Sequence, residues 1–104
     1  MSTPEQQQSI PNVDELALTI DIAQWQWLRS HNERGALITV STDLDLAQVG
    51  HALATDAANR VNAWINAGKL GKPTAEEIIT WNEQPEKLFR TLILSPYVLI
   101  TAEG

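Results

Sequence analysis

The stretch FRTLILSPYVLI, residues 89–100, decides the fold because it contains the longest strongly apolar run of the chain. Its two halves, residues 89–94 and 97–100, are rich in β-branched and aromatic side chains, which is typical of strands. Only Ser95 and Pro96 separate the halves, and a proline cannot donate a hydrogen bond within a ladder. Two intervening residues give weak support for a hairpin, so we favour one long, bent strand.

A second apolar segment, ALITVS at residues 36–41, follows Gly35 and ends at a polar turn. It is short and β-branched, which predicts a strand. Together with helical patterns elsewhere, the sequence predicts an α+β fold: four or five short helices packed on a small sheet of two principal strands, residues 36–41 and 89–100. A two-stranded ribbon is marginal alone and needs cover from helices or from another strand. A second copy of the chain would supply that strand, so homodimerisation is predicted.

Apolar residues at helical spacing lie on both sides of the strand at residues 36–41. Before this strand, the spacing fits either one bent helix or two. After it, a helix break is predicted near Thr55-Asp56, because both residues are good N-caps for the helix that follows. That following helix is predicted to turn Val61, Trp64 and Ile65 towards the core.

The 104-residue chain has the length of one domain and contains no cysteine, which excludes disulfides, thiolate metal sites and a cysteine nucleophile. Its first twelve residues, MSTPEQQQSIPN, lack the basic start and apolar core of a secretory signal. We therefore predict a disordered tail over residues 1–12 and a single α+β domain over residues 13–102. The predicted location is cytoplasmic, because no apolar run approaches the roughly 20 residues that span a bilayer.

Thirteen acidic and seven basic residues give a formal net charge of −6. Such a charge opposes general attraction to nucleic acid and to anionic lipid, so neither nucleic acid nor a membrane is a predicted partner. The acids are unevenly placed: none lies between Asp56 and Glu76, whereas Arg60, Lys69 and Lys72 do. This interval predicts a small basic spot.

Four polar residues that follow the first strand form the candidate ligand site: Asp43, Asp45, His51 and Asp56. Carboxylates brought close together can share a proton or bind a hard cation, and two of them, Asp45 and Asp56, also suit helix capping. Neither histidine has a carboxylate or an imidazole at helical reach, so no metal site is predicted. No serine or glycine motif predicts a catalytic residue or a cofactor.

Trp25 and Trp27 lie two positions apart, so on a helix their side chains point about 200° from each other. Trp25 shares a face with Leu28 and is assigned to the core, which leaves Trp27 partly exposed. Exposed tryptophan is enriched at protein interfaces. Together with Pro96 and Tyr97 at the predicted sheet edge, Trp27 is expected to form a partner interface.

An ordered set of short motifs runs along nearly the whole chain. These motifs are Trp25-x-x-Leu28, Arg34-Gly35 before an apolar strand, Leu44-Asp45-Leu46, Asp56, Trp64, Gly68-Lys69-Leu70 and Pro96-Tyr97-Val98-Leu99. In this order they resemble a bacterial family of domains of unknown function, the one numbered 2288 in that series, over about residues 14–101. The resemblance implies a bacterial cytoplasmic domain and supplies no catalytic residue.

The leading hypothesis is a non-enzymatic protein-interaction module that acts as a homodimer and binds an unidentified protein partner through Trp27, Pro96 and Tyr97. The alternative is a small-molecule-binding protein or enzyme that uses the acidic residues between Asp43 and Asp56. Nucleic-acid binding through the basic interval is the least favoured class, because the net charge opposes it.

Overall fold

The computed structural model describes residues 12–102. These residues form a five-stranded mixed sheet with helices on both faces, which confirms the predicted α+β class. The sheet has more strands than the two principal ones predicted. Two short strands, residues 21–24 and 70–71, belong to it, and the predicted strand over residues 89–100 is two strands. Of the predicted tail, residues 1–11 lie outside the described residues, while Asn12 is the N-cap of the first helix.

The elements follow one another in a mixed order along the chain. The helices are α1 (Val13–Leu18), α2 (Trp25–Glu33), α3 (Leu46–Ala54), α4 (Ala58–Asn66) and α5 (Ala75–Asn82). The strands are β1 (Asp21–Gln24), β2 (Leu37–Val40), β3 (Leu70–Gly71), β4 (Leu88–Leu94) and β5 (Tyr97–Ala102). The sheet order is β1-β4-β5-β2-β3, and β2 and β5 run parallel while the other neighbours run antiparallel. No helix within residues 12–102 is long and apolar enough to cross a bilayer.

Strands β4 and β5 form a hairpin, so the prediction of one bent strand over residues 89–100 is wrong. Leu94 pairs with Tyr97, and Ser95 and Pro96 form the two-residue turn, with a cis peptide bond between them. Two-residue loops are among the commonest hairpin connections. Because Pro96 lies in the turn and outside the ladder, its missing backbone N–H costs no hydrogen bond between the strands.

Strand β1 lies between α1 and α2. The segment before β2 therefore contains two helices and not one bent helix. Ile22 pairs with Arg90 and Ala23 with Phe89 in the antiparallel ladder with β4. The backbone N–H of Trp25 then donates to the Lys87 carbonyl at 2.9 Å as α2 begins. Since β1 and β3 complete the sheet within one chain, the sheet gives no reason for a second copy to supply a strand.

The sheet separates two apolar layers because side chains alternate between its faces along each strand. On one face, α3 packs over β4 and β5, and α1 packs against α3. Gly50 of α3 lies so close to the sheet that a methyl group there would stand 2.5 Å from Leu92 Cδ2. The buried residues of this layer include Leu16, Val40, Leu46, Val49, Leu92 and Leu99.

The second layer is built around an aromatic trio on the opposite face. The ring of Trp25 lies 5.0 Å from that of Trp81 and 6.2 Å from that of Phe89. The Trp25 Nε1–H donates to Asn82 Oδ1 at 2.9 Å, which satisfies its polar atom. Trp25 is therefore a core residue as predicted, and Trp81 and Leu28 lie beside it in the same buried cluster.

Candidate binding groove

An open groove of about 730 Å³ lies on the α3 side of the sheet, at the end where the β4–β5 hairpin turns. Strands β2 and β3 form its floor, and the end of α3, one face of α4 and the hairpin tip form its walls. We call it the hairpin groove. Its large apolar lining residues are Ile38, Leu53, Val61, Ile65, Leu70 and Leu94.

Helix α4 leaves the hairpin groove open because its apolar face is only partly covered. No residue of α4 is fully buried, and Ile65 exposes 49% of its surface. Val61 and Trp64 are half-buried against the core, and the Arg60 guanidinium lies 5.0 Å from the centre of the Trp64 ring. The prediction that Val61, Trp64 and Ile65 all face the core is therefore wrong for Ile65 and holds only in part for the other two.

Asp56 lies at the rim of the hairpin groove, in the turn between α3 and α4. It has a left-handed backbone with φ of 56°, a conformation that aspartate adopts more readily than most residues. The turn is closed by the Ala57 N–H, which donates to the Ala52 carbonyl at 2.9 Å, as in a Schellman motif. The N-cap of α4 is Ala57, without a side-chain cap, so the expected capping role of Asp56 is wrong.

Lys72 lies at the same rim, directly after β3. Its Nζ donates to the backbone carbonyl of Gly35, where α2 ends. Within residues 12–102, the single ion pair joins Lys69 and Asp43. Neither Asp56 nor Lys72 therefore has an ionic partner in the described part of the chain.

The other predicted ligand residues lie apart from Asp56. Asp43 pairs with Lys69 and accepts from the Ser41 hydroxyl, and these two contacts, the Lys69 one foremost, hold the pKa of Asp43 below its ordinary value. Asp45 caps α3 by accepting the N–H groups of Ala47 and Gln48, as capping geometry predicts.

Helix α3 keeps the candidate ligand residues from forming one site. Asp45 precedes this helix and Asp56 follows it, so about 16 Å of helix axis separates them. His51 is half-buried on α3 between them. In the described part of the chain, no three His, Asp or Glu residues lie close enough to hold a metal ion.

The predicted interface residues are divided between the two faces of the sheet. Pro96 and Tyr97 line the hairpin groove together with Asp56. Trp27 is on α2, whose buried residues pack on the opposite face. Trp27 exposes 60% of its surface, in agreement with its predicted exposure. The structure thus unites one predicted ligand residue with two predicted interface residues and separates Trp27 from them.

Most of the groove lining was missed by reasoning from the sequence. Ile38 belongs to β2 and Leu94 to β4, two strands that do not pair with each other, so no local pattern connects them. One available signal was the apolar stripe of α4, which was assigned to the core. In a helix of nine residues, such a stripe does not reveal whether its partner is the protein core or a ligand.

The fold and the groove define a small α+β domain with a mixed five-stranded sheet and a large, mostly apolar concavity. The family described as "Protein of unknown function (DUF2288)" matches residues 12–102. The chain belongs to this family, which confirms the resemblance inferred from the ordered motifs.

A solved structure shares this architecture. The NMR solution structure of PA1075 from Pseudomonas aeruginosa matches with a TM-score of 0.75 and 25% sequence identity. The match covers 98% of this chain and 94% of that chain. No curated protein matches the chain in sequence.

Proposed function

We propose that this protein is a binding module that takes an apolar ligand in the hairpin groove. The observation that carries the proposal is the groove itself: about 730 Å³, within the roughly 300–1,000 Å³ typical of ligand pockets. Such pockets combine an apolar lining with a few polar groups that orient the ligand. Here the polar side chains Asp56, Lys72 and Ser95 lie among apolar ones.

A ligand that covers the exposed apolar face of α4 would be stabilised by the hydrophobic effect. Covering apolar surface contributes about 25 cal/mol per Å², and Ile65 and Tyr97 each leave a large apolar area uncovered at the groove. The proposal joins the two hypotheses drawn from the sequence, because Asp56 came from the ligand-site hypothesis and Pro96 and Tyr97 from the interface hypothesis. A cytoplasmic setting is part of the proposal, since a cysteine-free chain suits a reducing compartment.

The first prediction concerns Ile65→Asp, which places a carboxylate in the apolar wall. We expect this variant to weaken binding of the neutral fluorescent dye N-phenyl-1-naphthylamine at least about tenfold, because an unpaired charge in an apolar site costs more than 1.4 kcal/mol. Ile65 is half exposed, so the variant should remain folded. Fluorescence titration of the dye measures the change.

Ile79→Asp is the matched control. Ile79 is also a helical isoleucine, exposes 61% of its surface and lies outside the groove lining. We expect the control to bind the dye with the affinity of the unmodified protein. Equal affinity of all three proteins, or no dye binding to any of them, would contradict the proposed function.

Self-association through Trp27 is a second candidate function, supported by the exposure of this indole. Tryptophan is among the residues that most often dominate interface energies, and Trp27 exposes 60% of its surface. The proposal places two copies face to face through α2, on the side of the sheet away from the hairpin groove.

The second prediction follows from this candidate. At micromolar concentration, light scattering should give about twice the chain mass of 11.5 kDa, and Trp27→Glu should restore the single-chain mass because each copy would then bury a charge at the interface. A single-chain mass for the unmodified protein would rule out self-association under these conditions.

A further inference from the structure

We infer that the ligand of the hairpin groove is a short apolar peptide with free termini, its ammonium group on Asp56 and its carboxylate on Lys72. The inference rests on the proposed function and specifies the class of ligand. Its basis is that one carboxylate, Asp56, and one ammonium, Lys72, which form no ion pair with each other, both line a groove that is otherwise mostly apolar. A ligand with an apolar body and both charges complements all three features.

The carboxylate of Asp56 has unused acceptor capacity. An ionised carboxylate offers about four acceptor positions. Within residues 12–102, the carboxylates that accept hydrogen bonds are those of Glu15, Asp21, Asp43, Asp45 and Glu77, so the Asp56 side chain has neither a hydrogen bond nor an ion pair in this range. The turn holds its backbone in place through the N–H groups of Asp56 and Ala57, which donate to the carbonyls of Leu53 and Ala52. The side chain is thus presented from a fixed backbone and is available for a ligand cation.

The ammonium of Lys72 has two donors to spare. A lysine side chain has three N–H donors, and one of them is used by the Gly35 carbonyl. This bond holds the long side chain against the end of α2, so less conformational entropy is lost when an anion binds. Lys72 also lies in the interval from residue 57 to residue 75, which contains no acid.

The volume of the groove favours a peptide over a single amino acid. About 730 Å³ is in the range of sites for drug-sized ligands, and a tripeptide of apolar residues has that size. Its aliphatic side chains would cover Ile38, Leu53 and Val61. Trileucine with free ends is therefore the probe of choice.

The third prediction compares trileucine with its N-acetylated and C-amidated forms by isothermal titration calorimetry. Each modification removes one terminal charge, and each should weaken binding to the unmodified protein at least about fivefold, the range of a hydrogen-bonded charge pair near a surface. Acetylation should have no further effect on the Asp56→Asn variant. Amidation should have no further effect on Lys72→Gln.

The variants are chosen so that they fold. Asparagine adopts the left-handed conformation of residue 56 as readily as aspartate, and glutamine at position 72 retains an N–H donor for the Gly35 carbonyl. Asp56→Gly is a second variant that removes the carboxylate, and glycine takes this backbone conformation without steric cost. Its thermal midpoint should be no lower than that of the unmodified protein.

The outcomes separate this inference from the proposed function. Equal affinity for all three peptides overturns the charge assignment and leaves the groove as an apolar binding site. Binding of the neutral dye without binding of any peptide also overturns the inference alone. Absence of both dye and peptide binding overturns the proposed function together with it.

Discussion

Trp25→Ala should lower the free energy of unfolding by about 3–5 kcal/mol, the usual cost of removing a fully buried large aromatic side chain. Trp25 is completely buried, and it packs on Trp81 and Phe89. Truncation also removes the Trp25 Nε1–H that donates to Asn82 Oδ1 at 2.9 Å, which leaves this oxygen only the longer bond from the Arg29 guanidinium at 3.3 Å. Since a domain of this size has a total stability of roughly 5–15 kcal/mol, the variant should lie near the limit of folding.

Trp27→Ala is the control for this change, because it removes the same residue type from the same helix. In the single chain its cost should stay within about 0.5 kcal/mol, as is usual for an exposed position, so the comparison is made below the concentration at which the protein self-associates. Chemical denaturation followed by circular dichroism compares the two variants. Loss of native signal in Trp25→Ala before any denaturant is added agrees with the prediction, whereas equal midpoints for the two variants would show that the aromatic trio contributes little.

Gly50→Val should destabilise the domain by about 2 kcal/mol or more through overpacking. The first added carbon would already stand 2.5 Å from Leu92 Cδ2 and 3.7 Å from Leu99 Cδ1. A valine adds two more methyl groups at this buried position, beside the fully buried Leu92 and Leu99. The gain in helix propensity over glycine, about 0.3–0.5 kcal/mol, is too small to offset this clash. Thermal or chemical unfolding measures the difference.

A double-mutant cycle with Leu92→Ala tests the mechanism. If the clash with Leu92 causes the loss, truncating Leu92 makes room for the valine. The cost of Gly50→Val should then be smaller by at least about 1 kcal/mol than in the unmodified background. Strict additivity of the two changes would mean that Gly50 is required for another reason.

The local features of this fold could be predicted from the sequence because short-range chemistry decides them. Helical geometry alone places Trp25 and Trp27 on opposite sides of α2, and burial agrees for both. The last helix, α5, begins with Thr74 and Glu77 in a reciprocal capping box, whose spacing of three residues is visible in the sequence. Such features involve residues three or four positions apart, where a single sequence is informative.

The sheet could not be predicted because its pairings are distant in sequence. Strand β1 has four residues and β3 has two, too few for a side-chain alternation to be recognised. The hairpin was missed because residues 95 and 96 are compatible with a bend in one strand and with a turn between two. Only the pairing of β5 with β4 distinguishes the two structures. The number of strands therefore follows from tertiary contacts rather than from local propensity.

The hairpin groove combines residues from six elements, namely β2, α3, α4, β3, β4 and β5, and this explains why only its rim was partly anticipated. Asp56, Pro96 and Tyr97 were predicted as site residues because of their chemistry. Asp56 has a carboxylate, Pro96 lacks a backbone N–H, and Tyr97 is aromatic. Ile38 and Leu70 are aliphatic residues in strands, and such residues are indistinguishable from core residues until their surroundings are known.

The position of β5 in the sheet has a consequence for how the chain is synthesised. This strand lies between β4 and β2, at the centre of the sheet, although it is formed by the last residues of the described chain, Tyr97–Ala102. Because synthesis runs from the N-terminus, β1, β2, β3 and β4 leave the ribosome before β5, the strand that joins β4 to β2. Closure of the sheet must therefore wait for β5, and the pairs β1-β4 and β2-β3 cannot be united in the native topology until this strand has emerged.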